Sequence, residues 1–349
     1  DVFRRVHAKK IAGVAELNTW ADGNLIPSSN GLGRVIRFFS KIIQEPWKKG
    51  VLGIDVGAST TTVAAGFNGD LRLSVNPNLG MGTGLVGVLK NSQIEKITRW
   101  LPIDVADGYI LDYIQNKIIN PATLPATQKD MVIEQALARE VIRLALKDAE
   151  SKFPRNISRL DVNTLPSFAP ILVSGGVLSL APTVEESMLI ILDAVQPNGI
   201  QQIILDKNNL APVLGAASSI NPTLVTQLLH DPVAFLNLGT VIAPISRARP
   251  ETPVIRLRIS YETGGENTIT VKKGQLLKVP LPLGHRAKLY IDPLTRANVG
   301  RGPGKKVTEQ VIGGPFGVVI DARGRPLDIP SSAEKRKALL IKWHQAIRN

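Results

Sequence analysis

The residues GIDVGASTTT, 53–62, hold the densest chemistry in the sequence. An aspartate closing a short apolar run, followed by glycine and a string of hydroxyl residues, is what a phosphate site requires. A tight turn points backbone N–H groups at an anion, Ser and Thr hydroxyls add donors, and the carboxylate holds Mg²⁺ through water. On that reading Asp55, Gly57, Ser59, Thr60 and Thr61 bind the phosphates, and Asp55 orders the metal's water. The same residues also suit an ordinary polar hairpin turn, and the turn alone leaves both readings open.

Other chemistries find little material. With no cysteine there are no disulfides, thiolate zinc sites or thiol nucleophiles, which fits a reducing compartment and gives the expectation of a cytoplasmic protein. The four histidines, His7, His230, His285 and His344, have no partner at HExxH spacing. GTGLVG (82–87) matches the dinucleotide pattern G-x-G-x-x-G, but NPNLGM separates it from the preceding apolar run, where that fingerprint needs direct passage from strand to turn. GRGPGKK (300–306) lacks the phosphate-loop spacing and has Lys306 where a metal-binding hydroxyl belongs, so it reads as a basic turn. Glu185/Glu186 and Glu262/Glu266 read as helix-start and turn acids rather than acid/base pairs.

The elements that must position the hairpin follow from periodicity. VLGIDV (51–56), TVAAGF (62–67) and LRLSV (71–75) are short apolar runs separated by turns, which predicts a three-stranded meander. Before them, residues 2–17 suit a helix, and Leu32, Val35, Ile36, Phe39, Ile42 and Ile43 make the stripe of an amphipathic helix ending before Pro46. A helical region broken by prolines at 102, 121 and 125 leads to a long helix that Thr127 and Asp130 cap. ILVSGGVLSLAP (171–182) is a buried strand ending in paired glycines, with a helix from about Thr183; IQQIILD (200–206) is a strand before the small-residue helix LAPVLGAAS. From about Pro250 the period changes to 2 in short runs with Gly, Pro and Asp turns, predicting a separate antiparallel barrel or sandwich. Ser332 then caps a terminal helix.

The 349 residues, 44% of them hydrophobic, can bury a sizeable core, and no apolar run reaches the 18 residues of a transmembrane helix. The +13 charge sits at the ends. Residues 250–349 carry 18 Lys and Arg against eight Asp and Glu, whereas residues 51–249 carry 15 against 17. Few aromatics interleave with the basic residues, which disfavours nucleic acid and favours an acidic protein surface or plain solvation. The opening DVFRRVHAKKIAG reads like the interior of a gene rather than an initiation site or a signal peptide, giving the expectation of a preceding segment.

GIDVGASTTTVAA resembles the second phosphate hairpin of the ATPase superfamily of actin, sugar kinases and heat-shock chaperones. ILVSGGVLSLAP resembles its adenosine motif, and GAAS (215–218) sits where that superfamily has its closing helix. More narrowly, VFRRVHAKKIAGVAEL, GIDVGASTTTVAA, NLGM, VSGGVLS, FLNLGTVIAP and the tail GGPFGVVIDARGRPL resemble the glutamate mutase (methylaspartate mutase) accessory proteins, the MutL-type family unrelated to mismatch repair. The resemblance implies an α/β fold: an actin-like (ribonuclease H-like) ATPase lobe, then a small antiparallel β domain and a C-terminal helix. It also implies ATP with Mg²⁺ as cofactors, with Gly175 and Gly176 letting the nucleoside approach the backbone. The implied partner is a cobalamin-dependent mutase that the protein reactivates or assembles, or a missing N-terminal lobe, with no membrane and with self-association left open.

This sequence departs from the superfamily in having one D-x-G-x-[ST]-[ST] turn where two are used, and Asn78 stands where Asp usually precedes Leu-Gly-Met. The expected organisation is a helical connector from a preceding lobe (1–50), the nucleotide-binding lobe (51–249), the β domain (250–330) and the terminal helix (331–349). The isolated chain is expected not to hydrolyse ATP. The alternatives are a non-enzymatic, scaffolding or polymer-forming relative, and a nucleic-acid binder acting through the basic C-terminal region.

Overall fold

The computed structural model describes residues 12–23, 25–43, 49–155, 157, 159–229, 231 and 234–348. Its frame is an eight-stranded mixed sheet in the order β3-β2-β1-β4-β5-β6-β12-β9. β1 (Gly50–Val56), β2 (Thr60–Phe67) and β3 (Asp70–Pro77) form the expected meander. β4 (Phe168–Ser174) and β5 (Gly199–Leu205) run parallel to β1, so the ends of all three open on one edge. β1 and β4 are buried on both faces, which is why they read as continuous apolar runs without alternation.

One face is covered by α6 (Gln128–Glu150), α8 (Val184–Ala194) and α11 (Ala333–Arg348), packed over Ile54, Val63, Val173, Leu205 and Val319. The Thr127 hydroxyl accepts from the Asp130 amide and Asp130 accepts from the Thr127 amide, so the expected cap of α6 is formed. On the other face, α2 (Ser28–Ile42) and α9 (Leu210–Ala217) cover the β1–β4 half. Leu32, Val35, Ile36 and Phe39 are the buried stripe of α2, as the periodicity predicts. The two helices touch backbone to backbone: a Cβ at Gly215 would lie 1.8 Å from the Gly31 carbonyl oxygen, so neither glycine can be replaced without parting them.

The C-terminal strands divide between two sheets, which differs from the separate unit expected over 250–330. β7 (Pro253–Tyr261), β8 (Glu266–Lys272), β10 (Arg286–Pro293) and β11 (Val307–Ile312) form a four-stranded antiparallel sheet in the order β11-β10-β7-β8. β9 (Leu276–Val279) and β12 (Val318–Asp321) instead complete the large sheet, β12 pairing in parallel with β6 (Leu236–Ala243). The physical reason lies in β12, whose four residues are all buried; it is a sheet-interior strand, not an alternating one. The smaller sheet stacks its apolar face on Ile200, Ile242 and Ile320 of the large one. Of the N-terminal helix expected over 2–17, the described part is α1 (Val14–Trp20), and the rest lies outside the described residues. So does Pro46, but α2 ends ahead of it at Ile42.

Candidate functional site

The hairpin turn Gly57–Thr60 stands at the sheet edge where β1 and β4 end. Asp55 pairs with Thr62 on β2 and with Ser174 on β4, so it sits two residues before the turn and level with the residue that precedes the glycine pair. Gly175 has φ 110°, and a Cβ there would lie 2.2 Å from the Val56 carbonyl oxygen. Only glycine permits that approach. It brings Gly175 and Gly176 beside the hairpin, as the sequence reading expects if both belong to one site.

Loop 78–84, with the helix α3 (Leu85–Asn91) after it, braces the turn from behind. The amides of Asn78 and Met81 donate to the carbonyls of Ser59 and Gly57 at 3.1 and 2.9 Å, and those of Gly82 and Gly84 to Ala58 at 2.7 and 3.0 Å. The Ser59 and Thr83 hydroxyls share a 2.6 Å hydrogen bond. The turn's carbonyls are thus occupied, while the amides of Ala58 and Ser59 have no acceptor among the described residues and both residues are exposed. Paired open N–H groups in a turn whose carbonyls face away are an anion cradle. The glycines of GTGLVG are accounted for by this packing: a Cβ at Gly84 would lie 2.4 Å from the Gly80 amide, and one at Gly87 1.8 Å from the Asn78 carbonyl. Thr61 is set apart. It is fully buried on the face shared with Val56 and Val63, and its hydroxyl has no hydrogen-bond partner among the described residues.

Sequence reading missed Asp206 and Asn209. Asp206, fully buried after β5, accepts from the Leu210 and Ala211 amides at 2.8 and 2.7 Å and so caps α9. Asn209 accepts from the Gly175 amide and the Ser174 hydroxyl, both at 3.0 Å, and fixes the glycine turn. Burial pushes the Asp55 carboxyl above its ordinary range, and the Asp206 charge pushes it further, against the pull of the Ser174 hydroxyl. Asp206 is raised by burial too, opposed by its backbone donors. Asp55 is therefore a partly buried carboxylate beside a like charge, a place that favours a cation.

A cavity of about 220 Å³ adjoins the two turns, lined by Val56, Gly57, Ala58, Gly176 and Val177 on one side. Its far wall comes from α5 (Asp107–Ile119) and α6, which an ordered polar ladder joins. The Tyr109 and Tyr113 hydroxyls donate to Asp130 and Glu134 at 2.8 and 2.6 Å, and Lys117 Nζ lies 3.1 Å from Glu134 and donates to the Thr123 carbonyl. Lys117 and Glu134 both line the cavity, a charged pair that single-sequence patterning on α5 did not reveal. A larger cavity, about 610 Å³ between α6, α8 and α11, lies away from the hairpin.

The rival motifs have structural uses. In GRGPGKK the amides of Gly300 and Gly302 donate to Asn298 Oδ1 at 2.9 and 3.0 Å, so an internal carboxamide fills that cradle. Glu186 opens α8, where its amide is capped by Thr183, and Glu266 pairs with Arg258. In the tail, Arg323 is buried between Asp193 and Asp321 at 2.7 and 2.8 Å, while Arg139 reaches Asp193 and Arg325 reaches Asp321. Burial alone would raise the Asp321 carboxyl, but Arg323 and Arg325 outweigh it and hold the group well below the usual range. The DARGR run is an ionic lock that ties β12 to α8 and α6.

The family model described as MutL protein matches residues 1–233, two-thirds of the sequence. The chain belongs to the MutL family, the glutamate mutase accessory proteins. The MutL match takes in the hairpin, its bracing loop, the glycine turn and α9, and ends before β6. No curated protein matches the chain. Among the described residues no group of three or more His, Asp or Glu side chains is arranged to hold a metal, and no helix is long and apolar enough to cross a membrane.

Proposed function

We propose that this MutL-family chain is the ATP-holding lobe of an actin-like accessory protein for a cobalamin-dependent mutase. The observation that carries the reading is the apposition of the hairpin turn and the Gly175–Gly176 turn at the ends of β1 and β4, with the Ala58 and Ser59 amides open. The sheet order β3-β2-β1-β4-β5 and the close crossing of α2 and α9 support the actin-like assignment.

In this reading the Ala58 and Ser59 amides and the Ser59 and Thr60 hydroxyls receive phosphate oxygens. Gly175 and Gly176 give the nucleoside room against the backbone, and the cavity wall of Lys117 and Glu134 meets its polar end. Asp55 fits Mg²⁺ as an oxygen donor that burial has left in need of a cation; with so few protein oxygens, the ion is held largely through water and the phosphates. Bound there, Mg²⁺ offsets phosphate charge. The sequence has one phosphate hairpin, and in-line positioning of water is most of phosphoryl-transfer catalysis. Nucleotide therefore acts in this chain as a conformational ligand, and turnover requires a second hairpin from another lobe or chain.

The test is association of the purified chain with its mutase, measured with and without MgATP. Nucleotide-dependent association that Asp55→Ala removes is the expected result. Association that is identical with nucleotide, without it and in Asp55→Ala overturns the nucleotide role and favours a scaffolding relative.

A further inference from the structure

We infer that the outward face of the β11-β10-β7-β8 sheet docks an extended acidic segment of a partner protein. The sheet buries Ile255, Leu257, Ile259, Leu289 and Ile291 on its inner face and exposes Arg256, Arg258, Arg286 and Lys288 on the other. Some of that charge is already matched: Arg258 pairs with Glu266 at 3.1 Å, and Asp292 with Lys306 at 3.3 Å. Arg256, Arg286 and Lys288 have no carboxylate within ion-pair distance among the described residues.

Two of these three stand in a groove of about 510 Å³ at one end of the face, with Ser260, Gln310 and Ile312 beside them. Lys288 pairs across the strands with Ser260 and Gln310, and Arg286 with Ile312, which is 48% exposed. Arg286 and Lys288 are two apart on β10, so they point to one side at a spacing of about 6.7 Å. An extended peptide with carboxylates at alternate positions repeats at the same interval and turns them all to one side, toward this face.

Nucleic acid fits the face less well. A sheet that reads single strands needs uncovered aromatic rings. Here the Tyr290 ring is capped by the Arg258 guanidinium at 4.0 Å, with Lys288 Nζ 5.4 Å away.

The proposal stands apart from the ATP site, and its test reads both. The intact chain is titrated with a fluorescent peptide carrying glutamate at alternate positions, with a peptide of the same composition in which the glutamates are adjacent, and with single-stranded and duplex oligonucleotides. ATP binding and the thermal melt are followed in parallel. Arg286→Glu with Lys288→Glu is expected to weaken the alternating peptide by about tenfold or more at low salt. The control Lys90→Glu with Lys96→Glu, which changes charge equally on α3 and α4 (Ile94–Thr98), leaves binding within about twofold. The milder Arg286→Gln with Lys288→Gln gives the same ordering should the reversals disturb folding. Equal loss in the control pair, equal affinity for the two peptides, or oligonucleotide binding that persists at physiological salt and disappears in the sheet variant overturns the proposal. Loss of peptide binding with ATP binding intact separates it from the nucleotide reading.

Discussion

Replacing Arg323 with leucine is the sharpest probe of the tail. The guanidinium is fully buried and bridges Asp321 and Asp193, with Trp343 stacked against it at 4.5 Å. Its removal leaves Asp321 with Arg325 alone and Asp193 with Arg139 alone. Breaking a buried pair from one side costs about 3–5 kcal/mol, and since each aspartate keeps one partner the lower end applies, about 3 kcal/mol. For 349 residues unfolding at about 2.1 cal/mol/K per residue, that lowers the melting temperature by about 4 °C if the chain melts as one unit. The pH dependence provides a second check. Asp321 titrates below its unfolded value, so its contribution is present above about pH 4 and is lost as the pH falls through the folded value. The variant's deficit should therefore be full at neutral pH and shrink on acidification below about pH 4. Thermal melts across pH measure this. A deficit under about 1 kcal/mol at neutral pH, or one that does not change with pH, refutes the account of the lock.

Asp55 carries the opposite sign. Its folded value is raised, so ionisation costs stability as the pH rises, and Asp55→Asn should melt higher at neutral pH with the gain vanishing below about pH 4; a lower melting temperature contradicts the assignment. Gly175→Ala places a side chain at φ 110° against the Val56 carbonyl and should cost about 2 kcal/mol or more in a denaturant titration, whereas the same change at Gly176, where a Cβ meets nothing, should cost under about 1. Steady ATP turnover by the purified chain should be negligible, and turnover that Asp55→Ala abolishes would show that one hairpin suffices.

Much of this fold was legible. The unbroken apolar runs of β1 and β4, the stripe on α2 and the cap at Thr127 are local signals, and the structure uses them locally. The division of the C-terminal strands was not legible, because Leu276–Val279 and Val318–Asp321 carry short apolar runs like their neighbours and only pairing partners distant in sequence decide which sheet they join. In the site, Asp55 and the hairpin turn stood out by composition and spacing, and the Gly175–Gly176 turn through its resemblance to an adenosine motif. Asp206, Asn209, Lys117 and Glu134 did not, since each sits in an ordinary helical or turn context and gains meaning from residues distant in sequence: Lys117 and Glu134 from each other, Asn209 from Ser174 and Gly175, and Asp206 from Asp55. Thr61 shows the limit of motif reading: the hydroxyl run includes it, but strand alternation turns it inward.

Equilibrium binding of a fluorescent ATP analogue to the purified chain, with and without Mg²⁺, tests the central claim most directly. Saturable one-to-one binding that Mg²⁺ strengthens, that excess ATP displaces and that Asp55→Ala weakens at least about tenfold is the predicted result. Absence of saturable binding by a folded chain, or binding that Asp55→Ala leaves unchanged, contradicts it.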